Sequence, residues 1–182
     1  MPGKNLFDKP FDEGTKIKLE IYKEYFQEWL PVFVSKNQPI WNTVQIFDFF
    51  AGRGKDKNGE WGSPLITIGV INSLKSYILQ NKIKVILHLN ELDINSYNAL
   101  KETISGFADF FEIKTYNNEF KFLFDEHYDS MKSSANFLFL DQNGIKEISN
   151  EIFQKITSLK QTDFLFFISS SYFKRFCGYR RI

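Results

Sequence analysis

The residues best suited to chemistry lie in one turn, Asp48-Phe49-Phe50-Ala51-Gly52-Arg53-Gly54, which joins an acid, two glycines and a basic side chain. Without a Cβ, Gly52 and Gly54 let the backbone take unusual φ values and come close to a bound molecule. Asp48 could hold an amine or an ordered water. Two more acids occupy comparable places, Glu91 after the run Lys84 to Asn90 and Asp141 after the run Asn136 to Leu140. A carboxylate at the end of a second strand suits the hydroxyls of a ribose. Together these groups point to a nucleotide-like ligand held by bare backbone and carboxylates. Taken singly, each also reads as a tight turn, a solvated acid or a cap.

These residues need elements to position them. Ile17, Ile21, Tyr25, Phe26, Trp29 and Leu30 recur at helical spacing, predicting an amphipathic helix over Thr15 to Val34 with Thr15 as its cap. The run from Thr43 to Phe50 reads as a strand feeding the glycine turn. A polar loop follows, then a helix from Leu65 to about Leu79, opened by Ser63 as N-cap and Pro64 in the first turn. Lys84 to Asn90 is a second strand, and Ile94 to Ile104 a helix ended by Gly106. Phe110 to Thr115 predicts a short strand, while Phe120 to Ser134 fits no single element. Asn136 to Leu140 is a strand, Ile145 to Leu159 a helix and Thr162 to Ile168 a strand. Tyr172 to Phe176 could open another helix. Strands apolar throughout, alternating with helices, predict an α/β fold with a doubly wound, mostly parallel sheet. Residues 1–40 form an N-terminal segment with the amphipathic helix, and 41–182 the α/β domain. Little chain remains after the last strand, which predicts a piece of a longer protein with further C-terminal strands.

In an open parallel sheet, ligands sit outside the carboxyl ends of the strands. Four polar or glycine-bearing ends fall there: Asp48 to Gly54, Asn90 to Asp93, Asp141 to Gly144 and Ser169 to Ser171.

Bulk properties narrow the field. The net charge of the 182 residues is +1, so nucleic acid binding draws no support from charge. A charged fraction of 25% is that of an ordinary soluble protein, and no apolar stretch approaches a membrane span. The polar start has no signal core, so the cytoplasm is the expected compartment. One cysteine, Cys177, excludes an internal disulfide, and with only His88 and His127 beside it no metal site is expected. The 21 phenylalanines read mainly as an aromatic core.

The glycine turn matches no common phosphate motif. A dinucleotide fingerprint would require glycine where Lys57 stands, and a phosphate loop would require Ser or Thr where Asp56 follows Gly54-Lys55. The pattern that remains, D-x-F-A-G-x-G, resembles the first motif of class I S-adenosylmethionine-dependent methyltransferases. More narrowly, the chain resembles the three-Cys-motif partner protein family. The resemblance is carried by Phe7-Asp8-Lys9-Pro10-Phe11, by Thr15 to Ile21 leading to Trp29-Leu30-Pro31-Val32, by Asp48 to Gly54 and by Gly62-Ser63-Pro64. Phe139-Leu140-Asp141-Gln142-Asn143-Gly144 matches more loosely.

The resemblance implies a Rossmann-like methyltransferase fold, S-adenosylmethionine as cofactor and a three-cysteine protein as partner. The cofactor would be bound by Asp48, Phe49, Phe50, Ala51, Gly52, Gly54, Ser63, Glu91 and Asp141. Glu91 would hold the ribose, Lys18 would lie over the pocket, and Asp141 would be catalytic, orienting or deprotonating the acceptor. Two positions depart from the pattern: Arg53 stands where the family has proline, and Gln142-Asn143 where it has Pro-Phe. The second departure motivates an alternative, a catalytically inactive cofactor-binding module that works through its partner. A nicotinamide oxidoreductase is a third reading, weakened by the incomplete glycine fingerprint.

His88 reads as a packed core histidine. His127, within Asp125-Glu126-His127-Tyr128-Asp129, reads as part of a solvated loop, with a metal or proton-transfer role as the alternative. Trp61 could cover an adenine, although packing is the simpler reading. Cys177 reads as structural, and Ser169-Ser170-Ser171 lacks the setting of a hydrolase elbow.

Overall fold

The computed structural model describes residues 9–141 and 148–167. The elements run α1 (Glu13–Val34), β1 (Thr43–Asp48), α2 (Ser63–Ser73), α3 (Lys75–Gln80), β2 (Lys84–Asn90), α4 (Ile94–Thr103), β3 (Glu112–Tyr116), α5 (Phe120–Met131), β4 (Ala135–Leu140), α6 (Asn150–Ser158) and β5 (Thr162–Phe166). All strand pairs are parallel, in the order β3-β2-β1-β4-β5. The chain starts in the centre, winds outward through β2 and β3, then crosses to β4 and β5. Order reverses at β1, so the crevice beyond the carboxyl ends of β1 and β4 is the topological switch point of a Rossmann-like, doubly wound sheet.

Each strand alternates its side chains between two apolar layers. Val44 and Ile46 of β1, Val85, Leu87 and Leu89 of β2, and Phe137 and Phe139 of β4 face a layer built from α1 to α4. Phe47, Leu138 and Leu140 face the layer of α5 and α6. Burial on both faces is why β1, β2 and β4 read as unbroken apolar runs.

Helix α1 packs over β4. The ring of Phe137 meets Trp29, Phe26, Tyr25 and Tyr22 at centroid distances of 5.2, 5.3, 5.7 and 6.0 Å. A fully buried aromatic of this kind contributes roughly 1.5–3 kcal/mol through area removed from water. The amphipathic helix is thus a layer of the same core as the sheet.

Local chemistry moves several predicted boundaries. Asp12 caps α1 in place of Thr15, accepting a hydrogen bond from the Thr15 amide at 2.7 Å. Gly62 is the N-cap of α2, and Ser63 is its first helical residue. The helix predicted to Leu79 breaks at Leu74, whose ψ of 12° leaves the helical range, giving α2 and α3. The unassigned stretch after Phe120 is α5. Helix α6 opens at Asn150 behind its cap Ser149. Gly106 takes φ +85° just past α4, as a helix terminator should. Gln142 to Gly144, the predicted helix start at Ile145, Ser169 to Ser171, Tyr172 to Phe176, Cys177 and the Phe7-Asp8 lead-in lie outside the described residues. Among the described residues no helix is long and apolar enough to cross a membrane.

Candidate functional site

The glycine turn leaves β1 toward β2, and the backbone holds it there. The Ala51 amide donates to the Asn90 carbonyl at 2.9 Å. The Gly52 amide donates to Oε2 of Glu91 at 2.9 Å, and Oε1 of Glu91 accepts from the Asp93 amide at 2.8 Å. Gly52 has φ +61°, a conformation that disfavours side chains. The glycine turn and the acid after β2 therefore form one wall. A carboxylate offers about four lone-pair positions; the two amides use two, leaving Glu91 acceptor capacity for a ligand.

Asp48 closes the floor and is only 1% exposed. Its Oδ2 accepts from the Ser63 hydroxyl at 2.6 Å and its Oδ1 from the Phe50 amide at 3.2 Å. Burial pushes its pKa up to about 7; the two hydrogen bonds oppose that rise, and the negative charges of Asp141 and Glu91 add to it. Ser63 thus serves β1 directly through its side chain, which explains why it is not the cap of α2. Beneath it, Tyr22 is hydrogen-bonded to the Thr67 hydroxyl, which donates to the Ser63 carbonyl at 2.7 Å. This buried chain ties α1 to α2 below the crevice.

Asp141 follows β4 on the far wall. Both its oxygens accept from Lys18 Nζ, at 2.7 and 2.6 Å. Lys18 arrives from the first turns of α1 and so lies across the switch point.

The other predicted site residues are placed differently. The Phe49 ring is buried in the α5–α6 layer, 5.4 Å from Phe47 and edge-on to Phe120 at 4.9 Å. Phe50 is half-buried, 5.6 Å from Phe120. Gly54, with φ +82°, faces α4: a Cβ there would lie 3.0 Å from Thr103 and 3.3 Å from Leu100. Its carbonyl accepts from the Gly62 amide at 2.9 Å, closing the loop between them. Gly54 therefore fixes the turn against a helix, whereas Gly52 meets the acid. Trp61 is half-exposed and its ring lies against Gly69 of α2.

Two organising residues carry no motif. Asn90, buried at the end of β2, donates to the carbonyls of Phe49 and Asn118 and accepts from the Asn118 amide. It pins the turn after β1 to the loop after β3. Asp56 accepts from the amides of Phe11, Asn58 and Glu60 at 2.8–2.9 Å, docking the N-terminal strap onto the loop before α2. A polar strand end in the first case, and an Asp two residues past a glycine in the second, are the only sequence signals.

The two histidines lie away from the crevice, under α5. His88 Nε2 pairs with Gln45 Oε1 and Nδ1 with the Tyr116 hydroxyl, both at 2.9 Å. Because an amide oxygen only accepts, Nε2 carries the proton and Nδ1 accepts from Tyr116. Burial, followed by the His127 and Lys114 charges, lowers the His88 pKa to about 3. His127 is not in a solvated loop. It is half-buried on α5, edge-on to His88 at 4.6 Å, and burial lowers its pKa against the pull of Glu126. Among the described residues no group of three or more His, Cys, Asp or Glu is placed to hold a metal.

The chain is thus a Rossmann-like α/β protein whose switch point is lined by glycine backbone and three carboxylates. No family model matches it, and no curated protein matches it.

Proposed function

We propose that the crevice binds S-adenosylmethionine and that the chain is a methyltransferase domain. The observation that carries this reading is the contact between the Gly52 amide and Glu91 at 2.9 Å. It brings bare backbone and a ribose-competent carboxylate to one wall of a switch-point crevice, the place where α/β sheets bind nucleotide ligands. The fold hosts many activities, so the choice of ligand rests on the turn from Asp48 to Gly54. The residues fit such a group: Glu91 retains acceptor positions for a ribose, and its carboxylate suits a nearby sulfonium. The cofactor would supply a methyl group already activated on sulfur.

The chain's own work is positioning. Glu91 orients the ribose, the Gly52 backbone admits the ligand, and Asp48 fixes the floor through Ser63 and the Phe50 amide. Asp141 orients the acceptor and can take its proton. Calorimetry with S-adenosylmethionine and its demethylated product tests the reading. Micromolar binding, lost at least tenfold in Glu91→Ala, is the expected result. No binding of either compound by folded protein overturns it.

A second reading, an inactive module partnered with a three-cysteine protein, is favoured by one observation. Asp141, the proposed catalytic group, is engaged on both oxygens by Lys18. Cofactor binding without turnover, together with co-purification of the partner, would select it.

A further inference from the structure

Two side chains at the ends of neighbouring strands form a box for a small cation. Asp141 follows β4 and Phe167 follows β5. The Phe167 ring is fixed from below, edge-on to Phe139 at 6.0 Å and packed on the main apolar core. A carboxylate beside an aromatic face attracts an alkylammonium through both its charge and the ring quadrupole. The ammonium in the box belongs to the chain itself. Lys18 Nζ contacts both oxygens of Asp141 and stands 5.7 Å from the centre of the Phe167 ring.

The box is carried by the sheet, but its guest comes from α1, 123 positions away in sequence. The guest is not needed to seat that helix, because Tyr22, Phe26, Trp29 and Leu30 anchor it in the core. The ion pair is partly solvated, with side chains 34% and 24% exposed. Solvent screening and the ordering of a long side chain leave such a pair little net strength. A box at the strand ends, filled by a partly solvated guest on a long side chain, is suited to exchanging that guest.

We infer that Asp141 and Phe167 recognise the ammonium of a primary alkylamine, and that Lys18 is a built-in competitor filling the box until such a ligand arrives. The inference rests on the crevice being a ligand site, and it narrows the methyl acceptor to an aliphatic amine on a flexible stem. Lys18 then acts as a stand-in for the substrate and sets a threshold for its binding.

The test is calorimetry of the full chain with Nα-acetyl-lysine amide, using the uncharged norleucine analogue as control. Titrations are run with and without S-adenosylhomocysteine. Lys18→Met is expected to bind the amine at least tenfold more tightly than the unsubstituted protein. Adding Asp141→Asn to Lys18→Met should abolish that binding, and the norleucine analogue should bind neither form. Equal affinities with and without Lys18, no amine binding by Lys18→Met, or equally tight binding of the analogue overturns the inference. Lys18→Gln repeats the measurement with a polar side chain, should methionine perturb α1. If the homocysteine compound fails to bind, the methyl-transfer reading falls, and the amine titration made without it still decides this one.

Discussion

Asp48 and His88 sit on adjacent strands of one sheet, on opposite faces, and burial drives both toward their neutral forms. Asp48 rises to about 7 and His88 falls to about 3. Their surroundings differ in kind. The imidazole has two hydrogen-bonding positions and both are filled, by Gln45 and Tyr116. The network continues from Gln45 to Ser134 at 2.8 Å and from Ser134 to Asn136 at 2.8 Å, so the polar groups satisfy one another. Asp48 has spare lone pairs, and its charged neighbours Asp141 and Glu91 are of like sign. The first arrangement fills both nitrogens of His88 and ties α5 to the sheet through the Gln45–Ser130 bond. The second keeps unmet electrostatic demand at the end of β1, next to the glycine turn, and perturbed groups of this kind mark candidate functional sites.

The strongest way to break this comparison is to remove the histidine. His88→Ala leaves the buried Gln45 oxygen and the half-buried Tyr116 hydroxyl without their partner and opens a cavity. The expected cost is about 4 kcal/mol in urea unfolding at pH 7. A loss under about 1 kcal/mol would mean that the network is not the structural element described.

Asp48→Asn should act in the opposite direction. The Asn oxygen can accept from the Phe50 amide while Ser63 turns its hydroxyl to accept from the new amide. A carboxyl whose pKa is raised on folding contributes stability that is present below about pH 4 and lost as pH rises through about 7. The variant should therefore gain stability at pH 8, on the order of 3 kcal/mol. His88, with its pKa depressed on folding, contributes stability present above about pH 6.5 and lost as pH falls toward 3. The two slopes partly cancel in the native protein. In Asp48→Asn, stability followed by chemical denaturation should fall steadily as pH drops below about 6.5. A curve unchanged from that of the native protein would remove Asp48 from the account.

Tyr116→Phe gives the smallest effect. It leaves His88 Nδ1 without a donor, at an expected cost of about 1 kcal/mol. If the switch-point crevice binds S-adenosylmethionine as proposed, that affinity should be unchanged, since the Tyr116 hydroxyl pairs with His88. A large affinity loss in calorimetry would join the two regions that the comparison separates.

The sequence reveals the central sheet because a strand buried on both faces is apolar at every position, as in Val85-Ile86-Leu87 and Phe137-Leu138-Phe139. It is less explicit at the edge. Strand β3 alternates Glu112 and Lys114 with half-buried residues, so its pattern merges with the apolar pair before it. In α5, Phe122 points to solvent at 64% exposure, which obscures the helical period. For the site, the glycine turn and Glu91 could be read because each lies within one local motif. Gly54 could not be separated from Gly52, since the difference depends on Thr103 and Leu100 of α4. The Lys18–Asp141 pair and the Phe11–Asp56 tie join residues far apart in sequence, and no local pattern encodes them.

The seating of α1 has a consequence for biosynthesis. Helix α1 rests on β4 as well as α2, so Tyr22, Phe26 and Trp29 lack the Phe137 side of their partner surface until the chain has been translated past β4. Strand β1 waits as well, because it lies between β2 and β4. Until then the nascent chain carries a partly uncovered aromatic stripe, a natural hold for a chaperone. Completing the core requires that helix to close onto β4 once β4 has joined β1.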